Sequence, residues 1–523
     1  MTDRWNRVSE SPTRSAAHEP GHPLSADDLF GDSPQAQVSL DEKLRQTYFW
    51  LVNSAVISPF YDVEFSTGAP LSYSLGDAGA ALHLATDQSY SSNVLLPLLT
   101  FAVGGRCLLV GGPGRGKTTL AVLMGVLAGS SSRDVRRNVL QGQPQLTISD
   151  IVGTPLPKDL IEASELGGVR IAWRNWLTQP VKIVDEYNRI PTKTQSALLT
   201  MVAEGYVESY DQMLRTAPAN GVESWYFTAN DDSGGGTFPV IQALRDRMDV
   251  TVAALGFNSR FFDELVARVE AGDRPEDHVP AELLFSGEER SGIARAIRAV
   301  AVPTSVRRQL EFFSSHFEFV QHGGRTFEYR TKDTVSTAGR SVAEVIASNS
   351  GADLEADLGA QTLTSISVRA LQTLILYAKA MAYFRGEAEV TLADVSAVLP
   401  FVLRGKMLPN PQHPRFEGGL DTELASDSVA WLEELFAESV RQFRALDLGE
   451  KDPVGDLLAE LGNGLDGVSA IEASRRVTIV ESTIAAIAHS GKLYGRHYDD
   501  LLALKYLHQR YSNYLRWLEA SGK

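Results

Sequence analysis

Gly111-Gly112-Pro113-Gly114-Arg115-Gly116-Lys117-Thr118 has the form G-x-x-x-x-G-K-[ST], and its neighbours decide how it is read. Before it stands Cys107-Leu108-Leu109-Val110, an apolar run with the length of a buried strand. After it, Thr119 to Leu127 is apolar and helical in character. Strand, glycine-rich loop and helix form the setting in which a loop wraps a phosphate. Glycines let successive backbone N–H groups turn inward, and the helix N-terminus adds the positive end of its dipole. Lys117 supplies a point charge for β- and γ-phosphates, and the Thr118 hydroxyl is a ligand for Mg2+.

A second apolar run, Val181-Lys182-Ile183-Val184, ends in Asp185-Glu186. Two adjacent acids are common at strand ends, but here they follow a phosphate loop. A strand buried beside Cys107–Val110 would bring Asp185 out at the C-terminal edge of the sheet, close to Mg2+. Glu186 would then reach the water that attacks the γ-phosphate.

The bulk numbers narrow the class. With 523 residues, 43% hydrophobic and 22% charged, the chain is globular and long enough for two or more domains. Lys+Arg 49 against Asp+Glu 65 leaves −16, which argues against a general nucleic-acid binder. Cys107 is the only cysteine, so no intrachain disulfide and no cysteine-based zinc site is available. Its place in a buried strand predicts a small packed hydrophobe. The ten histidines show no H-E-x-x-H spacing. No apolar run reaches membrane-spanning length and the N-terminus has no apolar signal region, so a cytoplasmic protein without membrane insertion is expected.

Along the chain, residues 1–38 are polar and aperiodic, and predict a disordered tail. Over 39–256 strand-like runs alternate with helical segments; the runs are Cys107–Val110, Val181–Val184, Trp225–Thr228 and Val250–Val252. Such alternation predicts an α/β fold with a parallel sheet flanked by helices. Residues 257–410 read as an all-helical lid, with apolar stripes at Phe261, Phe262, Leu265, Val266 and Val269 and at Val368, Leu371, Leu374, Ile375 and Ala378. A polar insertion interrupts it at 325–361. After a Pro-rich break at Pro409–Pro414, residues 415–523 read as a separate helical module.

The stretch Asp185-Glu186-Tyr187-Asn188-Arg189-Ile190-Pro191-Thr192-Lys193-Thr194-Gln195-Ser196-Ala197-Leu198-Leu199 resembles the "DEINRAPPKTQSALLEAM" run of the MoxR-type AAA+ ATPases. Further landmarks follow in order. Gln143 to Gly153 resembles the family's segment after the P-loop helix, and Phe227-Thr228-Ala229-Asn230 resembles its sensor 1 strand. Gly235 to Pro239 followed by Ala243 to Met248 resembles "GTYPLPEAQLDRF", and Ser365 to Leu371 resembles its sensor 2 helix. Tyr383-Phe384-Arg385-Gly386 and Val390 to Val395 resemble "RGRDYVTPEDV". The likeness covers about residues 90–410.

The resemblance implies an ATPase that binds ATP and Mg2+ between subunits of a homo-oligomeric ring, a hexamer. Nucleotide would bind at Gly111, Gly112, Pro113, Gly114, Arg115, Gly116, Lys117, Thr118, Thr119 and Asp185, with Thr118 and Asp185 holding the metal. Glu186 would activate water, Asn230 would position it, and Arg247 would be an arginine finger offered to the neighbouring subunit, with Arg245 the competing position. Arg369 on the lid would touch the phosphates of its own subunit. Arg189 and Lys193 would line the pore or interface, or simply be solvated. The family implies a chaperone-like role on a protein client, often beside a von Willebrand factor A-domain partner and often in maturing metal centres. A nucleic-acid-stimulated restriction or translocase motor and a nucleotide-gated scaffold with little turnover are the alternatives. Tyr187 stands in place of the usual Ile and Asp231 in place of the usual Pro. Thr-Ala-Asn-Asp also resembles the "NTAD" of a GTP-dependent restriction motor, so ATP is the expected nucleotide and GTP the alternative.

Overall fold

The computed structural model describes residues 38–521, apart from 77–79, 163–167, 219–221, 231–241, 273, 324–327, 349–356, 417–426, 450–451, 490–492 and 494. The expected tail, up to residue 37, lies outside the described residues.

Five parallel strands build the central sheet: β1 (Arg106–Val110), β2 (Leu140–Gln141), β3 (Val181–Asp185), β4 (Ser224–Ala229) and β5 (Val250–Ala253). Their order is β5-β1-β4-β3-β2, so, contrary to expectation, the strand of the two acids does not lie directly beside the strand of the P-loop but has β4 between them. In register, Ala229 of β4 pairs with Val110 of β1, and Phe227 pairs with Val184 of β3. β2 has no counterpart among the expected runs. It is a two-residue edge strand with one apolar residue, too short to show a period.

Burial on both faces explains why these strands read as continuous apolar runs. Cys107, Leu109, Ile183, Tyr226, Val250 and Val252 face one core, shared with α2 (Ser92–Val103) and α3 (Lys117–Leu127). Leu108, Val184, Trp225 and Phe227 face a second, where Leu198, Met201 and Val202 of α4 (Thr192–Glu204) pack. Cys107 is fully buried, and burial pushes its thiol pKa well up, so it behaves as the expected hydrophobe.

The helical lid joins the first core. α5 (Gly287–Ala299) begins with a capping box at Ser286 and Glu289, and α6 (Thr304–Ser314) follows it. α7 (Val368–Arg385) begins at an N-cap, Ser367, whose side chain accepts the Ala370 N–H, and α8 (Leu392–Leu403) begins with a Thr391–Asp394 capping box. Leu374, Tyr377, Met381, Val395 and Val398 all lie in the core that covers β1.

Three further expectations differ from what is seen. The stripe Phe261 to Val269 does form a helix, Phe262–Ala271, yet Phe262 and Val269 are exposed and none of its residues is buried. The polar stretch 325–361 is folded where it is described, with helices Lys332–Thr337 and Val342–Ser348 and a small core of Val335, Val345, Ile346 and Ala360. Its Ser/Thr-rich composition hides a few well-spaced aliphatics. The helix α9 (Ser428–Ala445), read as part of a separate module, does not stand apart. Its Trp431, Leu432, Leu435 and Phe436 belong to the main core, and the Phe436 ring meets Phe313 at 5.2 Å. Among the described residues after 415, α10 (Pro453–Gly462), α11 (Ala470–Ala488) and α12 (Arg496–Ser521) share a core of their own, around Leu457, Val480, Leu507 and Tyr511. No described helix is long and apolar enough to cross a membrane.

Candidate nucleotide site

The strand order brings the two halves of the site together at the C-terminal edge of the sheet. The P-loop leaves β1 with Gly111 at φ 148°, Gly114 at 74° and Gly116 at 73°, conformations that disfavour any side chain. A Cβ on Gly111 would also meet the Ala254 carbonyl at 2.7 Å. Pro113, Gly114, Arg115 and Gly116 are exposed, Gly112 and Thr119 are half-buried, and Arg115 ties the loop to the end of β5 by donating to the carbonyl of the next residue, Ala254, at 3.1 Å.

Lys117 is buried, and its Nζ donates to the carbonyls of Gly111 at 2.5 Å and Gly112 at 2.8 Å. A third bond reaches Asn230 Oδ1 at 2.9 Å. The other end of the same amide, Nδ2, donates to Glu186 Oε1 at 2.8 Å. Asn230 therefore spans the P-loop lysine and the second acid of β3. The remaining Glu186 oxygen pairs with Arg189 Nε at 3.1 Å. Arg189, expected at a pore, interface or solvated surface, is exposed and also flanks the carboxylate, because the 3-10 turn Tyr187–Arg189 folds it back over one turn.

Asp185 and Thr118 meet directly: Thr118 Oγ1 donates to Asp185 Oδ1 at 2.8 Å. A hydroxyl oxygen and one carboxylate are the hard donors that Mg2+ takes when substrate phosphates and waters complete its shell, so these residues fit that ion. Among the described residues no group of three or more His, Cys, Asp or Glu side chains is placed to hold a metal by protein ligands alone.

Glu186 has φ 51°, a left-handed conformation that costs an L-residue roughly 1–2 kcal/mol. Two neighbours to which the sequence assigned no role surround it. Thr228 accepts the Glu186 N–H at 2.9 Å. Gly142, just past β2, passes so close that a Cβ there would lie 2.2 Å from the Glu186 carbonyl oxygen. Tyr187, the departure from Ile, is buried edge-on against Phe227 at 5.8 Å, so the substitution keeps an apolar contact with the sheet.

Arg247 and Arg369 do not join this constellation. Arg247 follows the short helix Gln242–Asp246 and donates to the carbonyl of Ala243 at 3.0 Å; Arg245 is exposed. Arg369 pairs with Asp246 at 2.6 Å, and Ser367 donates to the other oxygen of that carboxylate at 2.9 Å. The start of the lid helix α7 is thus bound to the arginine-bearing segment. Asp231 and Gly235 to Pro239 lie outside the described residues.

Residues 106–250 match the family described as ATPase family associated with various cellular activities (AAA), and residues 358–427 match the AAA lid domain. The chain is 27% identical over 307 residues to Chaperone MoxR1 of Mycobacterium tuberculosis, covering 58% of this chain and 68% of that protein. A crystal structure of a candidate ATPase from Cytophaga hutchinsonii is 20% identical with a TM-score of 0.44, covering 65% of this chain and 88% of that one. The P-loop facing two acids across a β5-β1-β4-β3-β2 sheet agrees with the two family matches: the chain carries an AAA-type ATPase domain followed by an AAA lid domain, is an ATPase, and is similar to a MoxR chaperone.

Proposed function

We propose that the chain hydrolyses ATP with Mg2+ as a homo-oligomeric ring, a hexamer, and uses the cycle to remodel, activate or mature a protein client. The observation that carries this is the hydrogen-bonded run Lys117–Asn230–Glu186, with Thr118 and Asp185 beside it. Lys117 would bind phosphate, with Thr118 and Asp185 holding Mg2+, which supplies charge neutralisation on the phosphate oxygens. Glu186 would take the proton of the attacking water and Asn230 would orient that water. Neither side chain needs to be built anew, since each already contacts the other.

Arg247 lies outside its own subunit's site, which suits a finger given to the neighbour. Arg369 would leave Asp246 to reach the phosphates when the lid closes. The chaperone relative supports a protein client, and the family resemblance supports a von Willebrand factor A-domain partner and metal-centre maturation as the kind of work done. An excess of acidic residues, net −16, disfavours a nucleic-acid track.

The test is steady-state hydrolysis against protein concentration for wild type, Glu186→Gln and Arg247→Ala. Specific activity should rise with concentration, and both variants should lose about 100-fold or more. Adding the two inactive variants together should restore activity, since a finger given in trans lets intact Arg247 serve a subunit with intact Glu186. Activity independent of concentration and indifferent to Arg247→Ala would rule out the shared site; indifference to Glu186→Gln would leave a nucleotide-gated scaffold.

A further inference from the structure

One buried hydroxyl touches both acid positions at the end of β3. Thr228, the fifth residue of β4, is 1% exposed and lies in register with Leu109 of β1. Its Oγ1 is 2.5 Å from Asp185 Oδ1 and 2.9 Å from the backbone nitrogen of Glu186. The direction of each bond follows from the chemistry. An amide N–H can only donate, so Thr228 accepts from Glu186 and its single proton goes to Asp185. Asp185 Oδ1 also accepts from Thr118 at 2.8 Å. The carboxylate is therefore gripped by hydroxyls from two different elements, the start of α3 and β4. A β-branched residue with few χ1 choices suits such a post.

We propose that Thr228 is a positioning residue for hydrolysis: its hydroxyl orients the Asp185 carboxylate and anchors the turn that aims Glu186. This rests on the reading of Asp185 and Glu186 given above. Thr228 need touch neither nucleotide nor metal. It acts through the two acids, and it links their geometry to β4, the strand that leads to Asn230.

The test compares wild type with Thr228→Val, which keeps the shape and removes the hydroxyl, and Thr228→Ser, which restores it. Three quantities are read: hydrolysis against Mg2+ concentration, binding of N-methylanthraniloyl-ATP in EDTA and in Mg2+, and thermal unfolding. For Thr228→Val, kcat should fall about 10- to 100-fold, the gain in nucleotide affinity on adding Mg2+ should shrink several-fold, and affinity in EDTA should stay within about twofold. Thr228→Ser should recover to within about threefold of wild type in kcat. A Val variant with wild-type kcat and Mg2+ response overturns the proposal, and so does a Ser variant as impaired as Val. If Val does not fold, Thr228→Ala takes its place, and Ser equal to Ala overturns the proposal in the same way. A wild-type protein with no Mg2+-dependent gain in nucleotide binding defeats the reading of the whole site, and the proposal with it.

Discussion

Gly142 shows how much a single residue outside every motif can decide. Its N–H donates to the Asp185 carbonyl at 2.7 Å, and a Cβ there would meet the Glu186 carbonyl oxygen at 2.2 Å. Real Cβ atoms do not approach that closely, so backbone must give way, and the backbone that gives carries Glu186. Glu186 is already left-handed, at φ 51°. We predict that Gly142→Ala lowers kcat on the order of 100-fold through a displaced base, with nucleotide affinity nearly unchanged. Binding of a fluorescent ATP analogue beside steady-state hydrolysis checks this; a variant with wild-type kcat would show that the Glu186 turn tolerates the shift.

At the scale of one element, β3 contains a charge that its apolar pattern does not suggest. Lys182 is buried in the sheet, where its Nζ donates to Glu223 at 2.9 Å and to the carbonyls of Gln179 at 2.9 Å and Thr216 at 3.0 Å. Burial lowers the ammonium pKa, and the Glu223 carboxylate works against that fall. Removing one partner of such a pair leaves the other charge buried and alone. Lys182→Met should destabilise by about 3–5 kcal/mol, and adding Glu223→Gln should recover a large part of it. Chemical denaturation of the two single variants and the double variant measures the coupling; additive losses would mean that the pair does not matter as a pair. The contrast with Arg369 and Asp246 is instructive. That pair is partly exposed, so its loss should cost at most about 1 kcal/mol of stability.

For the whole molecule, the attachment of the C-terminal helices is a point open to pH. His316 is 2% exposed, both ring nitrogens lack a hydrogen-bond partner among the described residues, and its ring packs edge-on against Phe312 at 4.7 Å. A Cβ on Gly495, at the start of α12, would lie 2.6 Å from His316 Nδ1, so lid and last helix meet at this ring. Burial first, then the nearby His497 and Lys332, lowers its pKa from 6.5 to about 4. Between those values the unfolded chain binds the proton and the folded chain does not. The contribution is therefore complete above pH 6.5 and is lost as pH falls towards 4. His316→Leu should keep the packing, remove two orphaned polar atoms and flatten the fall in Tm between pH 6.5 and 4. Melting curves across that range settle it: an unchanged slope would place the acid sensitivity elsewhere.

How far the chain could be read before folding depends on whether a feature is contiguous. The P-loop at Gly111–Thr118 and the strand ending in Asp185-Glu186 are local patterns, dictated by backbone conformation, burial and phosphate chemistry, and they carried the fold class, the family resemblance and the core of the candidate site. β4 was legible as an apolar run, and Asn230 after it by resemblance. What stayed hidden depends on which strand lies beside which. Thr228 reaches Asp185 only because β4 sits next to β3 in this register. Gly142 matters because the edge strand β2 ends against Glu186, Arg369 meets Asp246 because the lid folds back on the sheet, and α9 joins the main core because α8 and α6 offer it an apolar face. Sequence determined the chemistry available at each position; only the tertiary structure, through contacts between residues far apart in the chain, decided which of those groups act on one another.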